Sequence, residues 1–258
     1  MADIHAWAPG QVLKLFKAHV LRRLGEHEAR MTRAVFAAGV PAPEVFGEVT
    51  LEGRFGIVLT RLDGPTLRQR LGTGAMQPEQ AGAIIASLYT SIHKTRAPPN
   101  VPSLRDWFAA ASRVPDRIPA HIATGILALI ERLPPADGLC HADLHADNVI
   151  MTAQGPRIID WLAAVRAPAA LDLARCHVTF SDLVYAPEGT DPSRPHALEA
   201  AVRFEYARLA GMSPAALTAA VETYLPILRA FALVERATNP ARRAWLIQRI
   251  EATLRPEH

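Results

Sequence analysis

LCHADLHADNVIMTAQGPRIIDW, Leu139 to Trp161, sets two histidines, three aspartates and an asparagine between apolar runs. Three chemistries fit such a segment. On an extended strand His141, Asp143 and His145 would face one side, a possible three-ligand set for zinc. No second His/Asp cluster at ligand spacing follows to complete it. Taken singly, Asp143, Asp147 and Asn148 are residue types that cap turns. Phosphoryl transfer accounts for more of the polar positions at once. It needs a carboxylate to orient and deprotonate an attacking hydroxyl, and oxygen ligands for a Mg²⁺ that bridges the phosphates. Asp143 followed by Asn148 fits base-then-ligand spacing. Asp160, after the hairpin signal Thr152–Gly155, returns a second oxygen ligand beside Asn148.

The order Asp143, Asn148, hairpin, Asp160 resembles the protein-kinase catalytic loop and metal-binding Asp. That resemblance implies a lysine on a small-lobe strand and a glutamate on the helix after it, and candidates for both are present. Of 28 basic residues only Lys14, Lys17 and Lys94 are lysines, and Lys14 sits inside the apolar strand pattern QVLKLF. Glu28 precedes Met31 by three positions and Val35 by seven, so on a helix it shares their inward stripe. A carboxylate on a core-facing stripe needs a cation, and Lys14 is the candidate. Glu26 falls on another face, near Arg30, as an expected surface pair.

The rest of the chain sets bounds. It has 258 residues, half of them hydrophobic, which is enough for a two-lobed fold with an ample core. Apolar runs such as Ile122–Ile130 fall short of the ~20 residues of a membrane span. The N-terminus lacks a basic region followed by an apolar one, and Cys140 and Cys176 make no disulfide framework. A cytoplasmic protein without membrane association is expected. The net charge is +3, but the arginines are scattered and no basic stripe with interleaved aromatics occurs, so no nucleic-acid partner is expected. Strands are expected at Gln11–Phe16, Val45–Leu51 and Arg54–Arg61, the last two joined tightly at Glu52–Gly53. Helices are expected over Gly25–Ala38, Pro78–Lys94 and Ala120–Arg132, and nearly continuously from Asp172. The fold class is α+β: a small β-rich lobe and a larger helical lobe holding one hairpin.

CHADLHADNVI resembles the His-Gly-Asp-x-His-x-x-Asn loop of the aminoglycoside phosphotransferase/choline kinase-like family, a branch of the protein-kinase-like fold. IIDW resembles its Ile-Asp-Trp metal motif. EARMTRAVFAAGVPAPEVFG is similar to its helix and Pro-containing link, and GIVLTRLDGPTL to its adenine-contacting strand and hinge. The likeness runs over roughly residues 2 to 178. It implies Asp143 as catalytic base and Asn148 and Asp160 as Mg²⁺ ligands. It also implies Lys14 as the phosphate contact of ATP, Glu28 as its partner, and Leu59, Arg61 and Leu62 as the adenine slot. His141 would anchor the loop, and Asp172 would brace it or cap a helix. The implied organisation is a partial nucleotide-binding lobe at 1–61, a hinge at 62–67 and a helical lobe at 68–258. The glycine-rich half of the first hairpin is expected upstream of Met1.

The expected activity is ATP-dependent transfer of the γ-phosphoryl group to a hydroxyl of a small molecule, chosen by the region after about Asp182. From Ser181 to His258 nine acidic residues balance nine arginines, which gives no support to a polycationic aminoglycoside. The alternatives are a nucleotide-binding pseudokinase or scaffold and, third, a zinc-dependent hydrolase. His93 is expected to end a helix as a cap or packed surface residue, and Cys140 to act as a small buried hydrophobe.

Overall fold

The computed structural model describes residues 1–182, 193–235 and 240–254. Period-two alternation builds the small lobe from four antiparallel strands. They are β1 (Ala2–Ala6), β2 (Gln11–Phe16), β3 (Val45–Leu51) and β4 (Arg54–Thr60), in spatial order β1-β2-β4-β3. On β2, Leu13 and Leu15 share one face with Val58, while Lys14 and Phe16 point to the other. That second face carries Phe55 and Ile57 and receives α1 (Arg22–Ala37). Lys14 is therefore turned towards α1 by its register alone. The helix buries Glu28, Met31, Thr32 and Val35, as their spacing predicts. It can lie this close to the sheet because residue 25 is glycine: a Cβ there would meet the Phe55 ring at 2.4 Å. Glu26 pairs with Arg22 at 2.8 Å and not with Arg30, which turns to His27. The sequence reading chose the wrong helical neighbour, because α1 begins a turn earlier than expected.

Residues 61–66 lead from β4 into α2 (Leu67–Gly72), whose Thr66 and Gln69 form a reciprocal capping box. The same segment is fastened to the large lobe. Gly64 (φ +153°) rests on the Met151 carbonyl, where a Cβ would come within 2.1 Å of the oxygen. The Met151 amide donates to the Pro65 carbonyl at 2.9 Å, and the Ile158 amide donates to that of Pro41 at 2.8 Å. These contacts clamp the hairpin of β6 (Val149–Thr152) and β7 (Gly155–Ile158) against the small lobe.

Around that hairpin lie α3 (Pro78–His93), α4 (Leu104–Ser112), α5 (Ala120–Arg132), α6 (Ala170–Phe180), α7 (Ser193–Ala210), α8 (Pro214–Glu235) and α9 (Pro240–Leu254). Two further short strands, β5 (Leu139–Cys140) and β8 (Val165–Arg166), pair antiparallel. One hydrophobic core runs through these elements, with Trp161, Tyr89 and Phe108 among its largest buried side chains. The α3–α7 interface is close because Gly82 faces Ala201, whose Cβ a second methyl would approach to 2.4 Å.

One expectation needs correction. Pro214–Val234, on α8, is long and apolar enough by length and composition to cross a membrane, with mean hydropathy 1.4. Its sequence is apolar all round because it packs against α4, α5, α6 and α9, and 61% of it is buried inside the fold. It is the core helix of the large lobe.

Two substitutions test this packing. Glu52 and Gly53 have φ of 51° and 74°, a turn that favours Asn-Gly. Glu52→Asn should stabilise the protein by about 0.5–1 kcal/mol, read as a rise in the thermal midpoint. Gly82→Ala should cost about 1–3 kcal/mol by forcing α3 and α7 apart, read in denaturant unfolding.

Candidate active site

The polar cluster is organised from beneath by one carboxylate. Asp172, in the first turn of α6 and fully buried, accepts the His141 amide at 3.0 Å through Oδ2 and the Ala142 amide at 2.6 Å through Oδ1. Asp172 Oδ2 also faces His93 Nε2 at 3.0 Å, and His93 Nδ1 meets the Tyr206 hydroxyl of α7 at 2.9 Å. With Nε2 donating to the carboxylate, Nδ1 accepts from the phenol, whose pKa burial, Cys140 and Asp172 push up to about 12. Tyr89, stacked on His93, donates to the Leu144 carbonyl at 3.2 Å. The loop backbone is held tightly enough for Ala142 to sit at φ +58°, where a side chain costs roughly 1–2 kcal/mol.

His141 uses both ring nitrogens on the loop. Nδ1 accepts the Asp143 amide at 3.2 Å and Nε2 donates to the Ile159 carbonyl at 3.1 Å, with Trp161 packed on the ring. It therefore ties the first half of the segment to the approach to Asp160. A neutral His145 sets Nδ1 toward the Asp147 amide at 3.3 Å and Nε2 toward the Asn148 side-chain amide at 3.4 Å, 3.9 Å from Asp143 Oδ2. Burial lowers the His145 pKa, favouring this neutral form. The alternation that suggested zinc belongs to a turn in which these nitrogens are already occupied. The one His/Cys/Asp group of metal-ligand spacing found among the described residues, His93–Cys140–Asp172, is equally committed. Burial raises the Cys140 thiol well above its ordinary pKa, and its proton points to the Ala167 and Pro168 carbonyls.

Asp143 presents its carboxylate asymmetrically. Oδ1 accepts from Arg175 Nη2 at 2.7 Å and Nε at 3.2 Å, and Oδ2 lies on the other side. Burial pushes the Asp143 pKa up. The Arg175 charge and hydrogen bonds, with His145 and His141, outweigh that and hold it below the ordinary carboxylate value. Asn148 is oriented by its own amide, which donates to the Asp143 carbonyl at 2.9 Å. Among the described residues no donor takes Asn148 Oδ1. The Val149–Ile158 pairing and the Ile159 amide, 3.0 Å from the Asn148 carbonyl, bring Asp160 alongside. Asp160 itself is left-handed (φ 63°), which turns it out of the strand.

From the other lobe Lys14 Nζ reaches Glu28 Oε1 at 2.5 Å and Asp160 Oδ1 at 3.8 Å. Glu28 is buried, and its Oε2 has no partner among the described residues. Burial raises the Glu28 pKa against the pull of Lys14, and nearby Asp160 adds to the rise. On β4, Leu59 lies half-buried opposite Val12 and Val45. Leu62 is also half-buried. Arg61 turns its guanidinium outward to Asp63 at 2.7 Å, and its amide is taken by the Gly10 carbonyl at 2.8 Å. Only its carbonyl is left to offer a base. The structure thus brings Lys14, Glu28, Asp160, Asn148 and Asp143 to one cleft and leaves the Arg61 side chain outside it.

The donor set suits a hard divalent cation: Asn148 Oδ1 and the partly exposed Asp160 carboxylate are oxygens, the ligands Mg²⁺ prefers. Sequence reasoning missed Arg175, His93 and Tyr206. Asp172 and Arg175 stand at i and i+3, and Tyr89 and His93 at i and i+4, so each pair shares a helix face. Which face meets the loop is decided only by the fold. The region after Asp182 lies partly outside the described residues.

A small antiparallel sheet, a hinge and a large helical lobe with this loop between them define the two-lobed protein-kinase-like fold. The chain belongs to the phosphotransferase enzyme family, whose profile matches residues 6–212. No curated protein sequence aligns significantly with it. Solved structures share the fold at low identity. Aminoglycoside phosphotransferase APH(3'')-Id from Streptomyces rimosus is 20% identical over 86% of each chain, with TM-score 0.57. A protein assigned as a fructosamine-3-kinase from Haemophilus somnus is 12% identical over 95% of this chain and 84% of its own, at 0.61. The amicoumacin kinase hAmiN, in complex with AMP-PNP, Ca²⁺ and Ami, is 12% identical over 95% of this chain and 81% of its own, at 0.56.

Two outcomes are expected. Asp172→Asn replaces an acceptor by a donor facing two amides, and should destabilise the protein by about 3–5 kcal/mol in denaturant unfolding. The depressed Asp143 pKa contributes stability that is present above the ordinary carboxylate value of 3.8 and is lost as pH falls through the lower folded value. Arg175→Gln should raise the Asp143 pKa, read by carboxyl ¹³C NMR, and remove that contribution.

Proposed function

We propose that this chain is an ATP-dependent phosphotransferase that moves the γ-phosphoryl group to a hydroxyl of a small molecule. The observation that carries the reading is the formed Lys14–Glu28 pair, with Asp160 3.8 Å from the same ammonium. A buried lysine tied to a helix glutamate beside an oxygen ligand is the electrostatic arrangement a triphosphate needs. Residues 1–61 would form the nucleotide-binding lobe and 62–67 the hinge. Lys14 binds phosphate oxygens, and Glu28 fixes its ammonium. Leu59 and Leu62 flank the base, with the Arg61 carbonyl as acceptor. Asn148 and Asp160 would hold Mg²⁺, which supplies charge neutralisation on the transferring group. Asp143, anchored through Oδ1 by Arg175, orients the acceptor hydroxyl through Oδ2 and takes its proton. A carboxylate kept at low pKa is a weak base, so its larger contribution is orientation, with the proton leaving late.

The acceptor is not expected to be a polycation. In the wall formed by α6, α7 and α8, the buried acids are already matched. Asp182 pairs with Arg229 at 2.9 Å, and Glu199 binds His177 at 2.9 Å, with Arg203 at 3.6 Å. A neutral or mixed-charge alcohol fits this wall better. A second reading, a nucleotide binder without turnover, draws on one feature: the β1–β2 connection contains a single glycine, Gly10.

Since water can replace an unknown acceptor, slow Mg²⁺-dependent ATP hydrolysis is the direct assay. Asp143→Ala should lower it by about 10²–10⁴-fold with ATP affinity retained, whereas Lys14→Met should weaken ATP binding itself. ATP binding without hydrolysis above buffer would favour the second reading. Absence of ATP binding would overturn both.

A further inference from the structure

The large lobe carries a second concavity that shares no residue with the site above. It is a cleft of about 640 Å³, bounded by α4, the end of α5, β8 and α8. That volume lies within the ~300–1,000 Å³ typical of small-molecule sites. Leu104, Ile130, Leu133 and Ala167 give it apolar walls. The charged groups at its rim are mostly spoken for: Arg105 pairs with Glu131 at 3.3 Å, and Asp137 with Arg96 at 3.2 Å.

Two polar groups in the cleft remain without a protein partner among the described residues. The Arg166 guanidinium makes no ion pair or hydrogen bond. Tyr224, only 5% exposed, makes no hydrogen bond through its hydroxyl. Its hydroxyl is not one of the fully buried unpartnered polar atoms, so it stays accessible from the cleft. The cleft therefore offers one uncompensated positive charge in a planar five-donor fork, one phenolic donor and an apolar floor. A carboxylate matches the fork in shape and the site in charge, whereas a phosphate dianion would leave a charge unmatched.

We propose that this cleft binds a small apolar monocarboxylate, aromatic or aliphatic, with its carboxylate on Arg166 and Tyr224. Its position links it to the catalytic loop. The Ala167 amide donates to the Gly138 carbonyl at 3.0 Å, and β8 pairs with β5, whose Cys140 immediately precedes His141. The proposal does not rest on the phosphotransferase reading, since the cleft would bind its ligand whether or not the other site turns over.

The test is titration of 4-fluorophenylacetate into the full-length protein, followed by ¹⁹F NMR, with neutral 4-fluorophenylacetamide as the matched control. The acid should bind saturably and the amide at least about 10-fold more weakly, the loss expected for a charge-assisted pair. Arg166→Gln, shown folded by its circular dichroism, should weaken acid binding by a similar factor. Arg166→Lys, which keeps the charge and loses the fork, should bind the acid more weakly than the unaltered protein but more tightly than Arg166→Gln, and excess MgATP should not displace the acid. Equal binding of acid and amide, unchanged binding in folded Arg166→Gln, displacement by ATP, or no saturation at millimolar acid would each overturn the proposal. If Arg166→Gln fails to fold, the acid–amide comparison on the unaltered protein still decides.

Discussion

The site depends on a buried carboxylate that binds backbone. Asp172 holds the amides of His141 and Ala142, and those bonds fix the loop backbone from which the candidate site residues project. In the low-dielectric interior such charge-assisted bonds are strong when satisfied and costly when broken. Everything downstream inherits this constraint. Ala142 is held left-handed, the Asp143 amide reaches His141 Nδ1, and the Asp143 carbonyl becomes the acceptor that orients Asn148. His93 and Tyr206 extend the same network to α7, so that helix and the loop carrying Asp143 share one set of hydrogen bonds.

The second constraint is the clamp between lobes. Gly64 on the Met151 carbonyl and the Pro65 and Pro41 carbonyls bonded to the β6–β7 hairpin make residues 61–66 and that hairpin one unit. Lys14 and Asp160 belong to different lobes, and this unit is what brings them within 3.8 Å.

Much of this was legible in the residues because periodicity reports facing. Strand alternation put Lys14 on the α1 side, and the Glu28–Met31–Val35 stripe put its partner inward. The Glu52–Gly53 turn and the Thr152–Gly155 hairpin followed from turn chemistry. The order Asp143, Asn148, hairpin, Asp160 marked the loop. What stayed hidden depends on contacts between distant segments. His93 reads as the end of an amphipathic helix until Tyr206, from α7, covers it. Arg175 reads as one more arginine in an arginine-rich chain until α6 docks under the loop. Arg61 reads as an adenine-slot residue; that its amide is taken by the Gly10 carbonyl of the preceding hairpin is a pairing no local pattern encodes. The apolar length of α8 was underestimated because scattered polar residues interrupt runs without lowering the helix's overall hydropathy.

The central claim is that the folded loop and hairpin present Asn148 and Asp160 as paired oxygen ligands for a metal–nucleotide complex beside Lys14. Calorimetric titration of ATP with and without Mg²⁺, on the unaltered protein and on the double variant Asn148→Ala/Asp160→Ala, tests it most directly. The account predicts that Mg²⁺ strengthens ATP binding to the unaltered protein, and that this increment disappears in the double variant while metal-free binding remains. An increment of the same size in both proteins would contradict it.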